Sequence, residues 1–559
     1  MEASLAYHEP GVVTILTQSS FLLLLNVGNF VLDHGLYCGL LGQVFLGVAF
    51  GTPGAKWLGT EAEHVIVQLG YLGLLLLVYE GGLSTSLRSL KANVWLSLCV
   101  AVTGIALPMG LSFVLQSLTG ATPLQAFAAG AALCSTSLGT TFTVLGSSGL
   151  INSRLGVVLT SAAMMDDVVG LVMVQIISNL GGSNSSISAV TAVRPLAVSV
   201  AFALCAPIIC FFIVRPITLW LNGKRVKSPT GKLSQLLAKS NTAWIIHTLV
   251  LVGSIAGSTY AGTSNLFASY IAGACISWWD AEVPHPVLEA TVSTSEPAQA
   301  ADSSNGEPQS APGPVIQTRR EPRFPGLDTF EKYYKQPLDR ILRPFFFASI
   351  GFSIPITEMF SGPIVWKGLV YTVLMALGKL ACGVWLLRLP TMPRAFAKVP
   401  YVLKLSNLHV PHFWGQGKRK PSPPPATDAA AQSIASPEVH TSARLQEYAQ
   451  GTIAHSDPTE IKPRSLYPAS ILGCAMTARG EIGFLISSIA ESNGVYSLSQ
   501  PTGRSSDNFL VVTWAIMLCT ILGPLAVGLL VRRMKQLQQG VEKQGRIVRG
   551  DVLGVWGLS

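Results

Sequence analysis

The sequence predicts an all-α polytopic membrane protein, and three observations lead to that fold class. Only 12% of the 559 residues are charged, which is about half the share of a soluble protein. Hydrophobic residues make up 49%, and 53 residues are glycine, which is commoner in membrane helices than in soluble ones. Apolar runs of about 20 residues, the length that crosses a hydrocarbon core, recur along the chain. A soluble enzyme, a collagen-like fibre and a wholly disordered chain are therefore excluded.

Thirteen such runs predict about 13 transmembrane helices. They cover residues 14–32, 35–51, 64–83, 91–118, 124–147, 154–178, 192–219, 241–258, 264–280, 337–356, 362–389, 464–491 and 507–533. Two interruptions are rich in Pro, Ser and Ala, a composition typical of disorder. The predicted organisation is a membrane domain at 1–281, a disordered cytoplasmic loop at 282–336, helices at 337–389, a disordered basic loop at 390–463, helices at 464–533 and a cytoplasmic tail at 534–559.

The distribution of Lys and Arg predicts the orientation. One side of the membrane collects both long loops, the basic tail and the short loops with Arg88, Lys91, Arg154, Lys224, Arg225 and Lys227. Cytoplasmic loops carry this excess, so we expect the N-terminus outside and the C-terminus in the cytoplasm of a plasma membrane or endomembrane. The same bias accounts for the net charge of +9, so membrane lipid and not nucleic acid is the expected partner.

The nine cysteines lie in apolar stretches and none forms a CxxC pair. Disulfide frameworks and zinc sites have a different spacing. Neither these residues nor any other motif indicates an organic cofactor or a bound transition metal, so the sequence predicts no cofactor.

Once the ends of the predicted membrane helices are set aside, five charged residues remain as candidates: Asp166, Asp167, Lys379, Arg479 and Glu481. Ionisable residues are costly there and are functional candidates by default. Successive residues of a helix point about 100° apart, so one aspartate can face a partner helix while the other faces a cavity. Burial and a neighbouring negative charge both favour the protonated carboxyl group, and oxygen ligands suit hard cations. The pattern predicts a carboxylate that exchanges a proton for a monovalent cation.

A purely structural interpretation is open for each of these groups. An Asp–Lys pair can simply lock two helices together, although one lysine cannot neutralise two carboxylates. For Arg479 and Glu481, a helix-positioning or gating ion pair is the favoured interpretation. Glu80, near a helix end, is expected at the membrane interface.

Two helices have polar interruptions at their centres. Residues Cys134–Thr143 are crowded with Ser, Thr and Gly, and the helix at 464–491 contains MTARGE. Paired broken helices in the two halves of a transporter mark a midplane ion site, whereas small residues alone also serve helix packing. The two features lie seven helices apart, which predicts inverted-topology repeats arranged as six helices, a linker and six helices.

At these residues the chain resembles the monovalent cation/proton antiporter superfamily, in particular its sodium/proton branch with a double aspartate. The matching motifs are Asp166-Asp167, Gly378-Lys379 and AMTARGEIGF at 475–484. The resemblance implies thirteen helices, two crossed broken helices, a core domain that moves like an elevator and a domain that forms a homodimer. It also implies that Asp167 binds the cation, that Asp166 pairs with Lys379, and that Thr136 lies beside the ion.

The resemblance further implies electrogenic exchange of Na⁺, and of Li⁺, for protons. The main competing function is K⁺/H⁺ antiport by a protein of the same superfamily. A sodium-coupled solute symporter, an intramembrane aspartyl protease and a non-transporting receptor are less favoured. The protease is disfavoured because its two carboxylates must approach one substrate from separate positions, whereas Asp166 and Asp167 are adjacent. We therefore expect a transporter and not an enzyme.

Overall fold

The structure, a computed structural model, describes residues 9–36, 38–85, 87–137, 150, 153–181, 189–227, 231–237, 239–283, 326–387, 466–496, 505–543, 553 and 556. All regular secondary structure within these ranges is helical. The predicted all-α fold class is thus confirmed. The predicted loop at 390–463 lies outside the described residues.

The first half of the chain contains twelve α-helices in the described ranges. They are α1 (Val12–Leu36), α2 (Gly39–Phe50), α3 (Thr60–Leu83), α4 (Leu87–Leu111), α5 (Leu115–Thr119), α6 (Pro123–Cys134), α7 (Arg154–Gly181), α8 (Ala189–Ile209), α9 (Arg215–Lys227), α10 (Lys232–Leu237), α11 (Ser240–Ala261) and α12 (Asn265–Glu282). A 3₁₀ turn, Ser112–Val114, joins α4 to α5, and a π-helical turn, Cys210–Val214, joins α8 to α9.

The described residues of the second half add eight α-helices. They are α13 (Gly326–Tyr333), α14 (Lys335–Pro337), α15 (Arg343–Phe352), α16 (Ile356–Met359), α17 (Gly362–Leu380), α18 (Leu466–Thr477), α19 (Glu481–Ser492) and α20 (Asp507–Lys543). A π-helical turn, Leu338–Leu342, precedes α15, and a 3₁₀ segment, Ala381–Leu386, continues α17.

Each of the thirteen apolar runs contains helix in the structure. Within the described residues, nine helical segments are long and apolar enough to cross a membrane, and Gly39–Phe50 and Pro123–Cys134 are shorter apolar helices. The protein is therefore a multi-pass membrane protein, and the number of thirteen crossings stays a prediction.

The helices pack as two connected groups. Helix α3 packs on α12 and α15, and α2 packs on α1 and α15. Gly82 and Gly273 leave no room for a side chain where α3 and α12 touch, a close approach typical of membrane helices. In the other group α7 packs on α4 and α19, and α17 packs on α18 and α20. This second group carries all five predicted intramembrane charges.

The end of the predicted loop at 282–336 is a helix, which corrects that boundary. Helix α13, Gly326–Tyr333, buries Phe330 against Tyr79, with ring centroids 5.8 Å apart. Its first backbone N–H donates to Asp280 Oδ2 at 2.5 Å. The segment has little apolar surface, which favours disorder, but one buried aromatic ring and one capping carboxylate hold this short helix in place.

Candidate ion-binding site

The breaks of two membrane helices meet at the centre of the second group. Helix α6 ends at Cys134 and runs into extended backbone at Ser135. Helices α18 and α19 are separated by residues 478–480. The Ser137 N–H donates to the Ala478 carbonyl at 3.0 Å. The breaks leave backbone groups without helical hydrogen bonds, and this bond supplies a partner for two of them. Inside a membrane such backbone groups must be satisfied within the protein.

The sequence predicted both interruptions, and the second is complete in the structure, with helix on either side of it. For the first, the described chain ends at residue 137. Residues 138–149, which hold the rest of the predicted Ser/Thr-rich segment, lie outside the described ranges.

Asp166 and Lys379 form a fully buried ion pair. The Lys379 Nζ lies 2.6 Å from Asp166 Oδ2, and both side chains have 0% exposure. The same ammonium group donates to the Cys134 carbonyl at 2.5 Å and to Thr136 Oγ1 at 2.9 Å. A buried pair offsets its desolvation only when further hydrogen bonds complete it, and the end of α6 supplies them.

Thr136 joins the two charges of this pair. Its hydroxyl accepts from Lys379 and donates to Asp166 Oδ2 at 2.9 Å. The structure thus brings Thr136, Asp166 and Lys379 together. The resemblance implied a threonine beside the ion. In the structure, Thr136 contacts Asp166, the first of the two adjacent acids.

Asp167 has a different environment from Asp166. It is 6% exposed, and among the described residues it takes part in no ion pair and accepts no hydrogen bond. The adjacent Asp166 leaves Oδ1 without a partner as well. Carboxylate oxygens without a donor are expensive inside a protein, so this position favours a proton or a cation on Asp167.

Among the described residues, acidic side chains alone do not complete a cation site. Within the described ranges no group of three His, Cys, Asp or Glu side chains is placed to hold a metal ion. A monovalent cation at Asp167 would need backbone carbonyls, hydroxyl groups or water for the rest of its shell, and such oxygens suit hard cations.

Arg479 and Glu481 do not form the expected ion pair. The Arg479 Nη1 donates to the Ser135 carbonyl at 2.9 Å, and its Nε and Nη2 have no partner among the described residues. Gly480, which separates Arg479 from Glu481, is extended (φ −150°, ψ −149°), so the two side chains do not share a helical face. Glu481 is partly exposed and interacts electrostatically with Asp167.

Sequence reasoning missed Gly104 of α4. A Cβ at this position would lie 3.3 Å from Lys379 Nζ and 3.4 Å from Asp166 Oδ2. The absence of a side chain therefore lets α4 cover the buried ion pair closely. The only signal in the sequence was an isolated glycine within a helical pattern, where glycine is less favourable than alanine.

Residues 35–300 match the family described as "Sodium/hydrogen exchanger, transmembrane". The match covers somewhat less than half of the chain. The matched segment includes α6 and α7 of the site. Lys379, Arg479 and Glu481 lie beyond it.

Curated relatives match about a quarter of the chain. The high-affinity Na⁺/H⁺ antiporter NhaS3 of Synechocystis sp. is 31% identical over 143 residues, which is 25% of this chain and 31% of the relative. The Na⁺/H⁺-K⁺ antiporter GerN of Bacillus cereus is 31% identical over 134 residues, which is 24% of this chain and 34% of the relative. The chain thus aligns with about a third of the length of these proteins.

A solved antiporter structure is also similar. The sodium proton antiporter MjNhaP1 of Methanocaldococcus jannaschii superposes with a TM-score of 0.47 at 13% identity, covering 93% of this chain and 99% of that one.

Proposed function

We propose that this protein is a secondary active transporter that exchanges Na⁺, and also Li⁺, for protons. The observation that supports this most strongly is the contrast between two adjacent acids. Asp166 is neutralised by Lys379 at 2.6 Å, whereas Asp167 has neither a basic nor a hydrogen-bonding partner among the described residues. A carboxylate in this position can exchange a bound proton for a bound monovalent cation.

Proton and cation compete for Asp167 in the proposed mechanism. The ionised carboxylate takes a cation from one side, and the neutral complex crosses low-dielectric surroundings at a much lower cost than the charged site. Protonation on the other side releases the cation. The empty, charged site is immobile, and this obliges the protein to exchange and not to leak.

Electrogenic exchange is part of the proposal. If Asp167 alone carries the ions, one cation exchanges for one proton and no net charge moves. A second proton has to come from another group, and the Asp166–Lys379 pair is adjacent to the site. Transport that responds to the membrane potential would support this role of the pair.

K⁺/H⁺ exchange is the second candidate. One relative, 31% identical over 134 residues, is named an Na⁺/H⁺-K⁺ antiporter, so its name includes K⁺. The double aspartate favours Na⁺ over K⁺, because it resembles the motif of the sodium/proton branch.

We also propose that the protein forms a homodimer in a plasma membrane or endomembrane, with the N-terminus outside and the C-terminus in the cytoplasm. The Lys and Arg distribution supports the orientation. Large apolar side chains on α1, among them Val13, Leu16 and Phe30, are 77%, 63% and 70% exposed, so this face meets lipid or a second copy. Chemical cross-linking in membranes tests the dimer.

The exchange is tested with purified protein in proteoliposomes that carry a pH gradient and a pH-sensitive dye. Na⁺, Li⁺ and K⁺ are added separately at constant ionic strength. Collapse of the gradient by Na⁺ or Li⁺ is the expected result. A response to K⁺ alone would move the assignment to K⁺/H⁺ exchange. No response with any cation from folded protein would contradict the proposal and favour a symporter or a receptor.

A further inference from the structure

Glu481 differs from the other charged residues near the helix breaks in its exposure. Asp166, Lys379 and Arg479 are 0% exposed and Asp167 is 6% exposed, whereas Glu481 is only partly buried. Acidic residues at membrane depth face the bundle interior or a water-filled cavity. Glu481 is therefore the charged group of this cluster with the greatest access to solvent.

The Ile482 side chain packs the first turn of α19 against the turn of α7 that carries Asp167. A Cβ on Gly170, three residues after Asp167, would lie 3.0 Å from Ile482 Cγ2 and 3.0 Å from Ser135 Cβ. Such a separation is a close contact between helices. The residue before Ile482 is Glu481, so this contact places its backbone beside the Asp167 turn.

The Glu481 carboxylate has no compensating partner among the described residues. It takes part in none of their ion pairs, and it repels Asp167 electrostatically. An acid in the first turn of a helix interacts favourably with the helix dipole, by about 0.3–1 kcal/mol. That explains an acid at the start of α19, but not its location beside a second carboxylate without a partner.

We propose that Glu481 is the entry carboxylate of the site: it attracts the transported monovalent cation at the more exposed end and passes it to Asp167. This role rests on the proposed function, because it assigns a second acid to the same transport step. Two negative charges without basic partners create a potential that concentrates cations locally. The buried Asp166–Lys379 pair adds no net charge and Arg479 offsets one negative charge, so the cluster stays net negative only when both Asp167 and Glu481 are ionised.

The proposal predicts a change in apparent affinity and not in the capacity to transport. In Glu481→Gln the KM for Na⁺ rises about tenfold, the size expected from the loss of one nearby charge, while the maximal rate stays within about twofold of the wild type. Glu481→Asp keeps the charge and restores most of the affinity. The matched control is Glu80→Gln, since Glu80 is partly buried but has Lys335 at 3.7 Å; its KM is expected to equal that of the wild type.

The experiment measures initial rates of Na⁺-driven collapse of a pH gradient in proteoliposomes, with choline chloride keeping the ionic strength constant. A second measurement records the melting temperature of detergent-solubilised protein at increasing Na⁺ concentration. A ligand that binds the folded state raises its stability, so the Na⁺ concentration at half of the maximal increase reports the affinity. This reports affinity even where a variant transports poorly.

Each outcome has one meaning. A KM and a half-stabilising concentration within about twofold of the wild type in Glu481→Gln would overturn the inference. A lower maximal rate at unchanged KM would also overturn it, since Glu481 would then act after binding. Failure of the wild type itself to respond to any cation would refute the proposed function. This outcome does not depend on any variant, so it is distinct from failure of the inference about Glu481.

Discussion

Lys379 Nζ contacts Asp166 Oδ2 at 2.6 Å, whereas the next residue along the same helix, Asp167, has no charged or hydrogen-bonding partner among the described residues. Adjacent residues of a helix point about 100° apart, and this geometry alone gives two chemically identical side chains different roles. One acid holds helices α7 and α17 together at the end of α6. The other is the acid that we propose exchanges a proton for a cation.

Removal of the lysine is expected to destabilise the protein. Lys379→Met leaves Asp166 fully buried without its cation, which costs about 3–5 kcal/mol, so the melting temperature in detergent falls markedly. The double variant Asp166→Asn/Lys379→Met removes both charges and is expected to melt at a higher temperature than the single variant. The control is Lys335→Met, whose partner Glu80 lies 3.7 Å away at a partly exposed position and whose pair contributes at most about 1 kcal/mol. A double variant less stable than Lys379→Met would contradict the assigned pairing.

The Thr136 hydroxyl is expected to matter because it both accepts and donates a hydrogen bond within the buried pair. Thr136→Val keeps the shape but leaves buried polar groups unpaired, a loss of about 1–3 kcal/mol. We expect a lower melting temperature and slower exchange. Thr136→Ser retains the hydroxyl and is expected to behave like the wild type in both measurements. Equal behaviour of the Val and Ser variants would mean that the hydroxyl does not position Lys379.

Gly480 is expected to tolerate no side chain. A Cβ there would lie 2.6 Å from Ser137 Oγ and 2.7 Å from Ser137 Cβ, so Gly480→Ala forces the two helix breaks apart. Overpacking of this kind costs about 1–3 kcal/mol, and the melting temperature is expected to fall together with the exchange rate. The matched control is Gly253→Ala on α11, where a Cβ meets nothing within 4 Å. If both variants melted alike, the close crossing of the breaks would be wrong.

The C-terminal segment is expected to be docked through Trp556. Its ring lies 5.0 Å from Arg154 Cζ, and Trp556 and Leu553 are 5% and 1% exposed. Trp556→Ala removes this cation–π contact and its apolar burial, so Leu553 and residue 556 leave their buried positions more often and trypsin is expected to cleave near them about tenfold faster. Trp57→Ala, at a residue with 62% exposure, is the control. Cleavage at the wild-type rate in Trp556→Ala would show that the segment is held by other contacts.

The sequence was sufficient to predict the features that depend on polar residues inside membrane helices. An acid pair, a lysine and two polar interruptions within apolar runs have few physical solutions, and the structure brings Asp166, Lys379 and the two breaks together. The runs also predicted helices, because about 20 apolar residues leave the backbone little alternative in lipid.

The sequence was insufficient where backbone geometry is irregular or where short segments rely on tertiary contacts. The proximity of Arg479 and Glu481 in sequence suggested an ion pair, but among the described residues the Arg479 guanidinium donates to the Ser135 carbonyl instead. Helix α13 was missed because its stability comes from Phe330 and Asp280 and not from its own apolar content. The count of thirteen crossings and the inverted repeats stay predictions.

The most direct test of the central claim is Na⁺-driven proton movement in proteoliposomes for Asp167→Asn beside Asp507→Asn. Both changes replace an aspartate by its neutral isostere, but the Asp507 side chain is 64% exposed and 3.8 Å from Lys367. We expect Asp167→Asn to fold with a melting temperature near that of the wild type and to move no protons with any cation, while Asp507→Asn transports normally. Retained exchange in folded Asp167→Asn would contradict the account, because ions would then cross without the carboxylate that it places at the centre of transport.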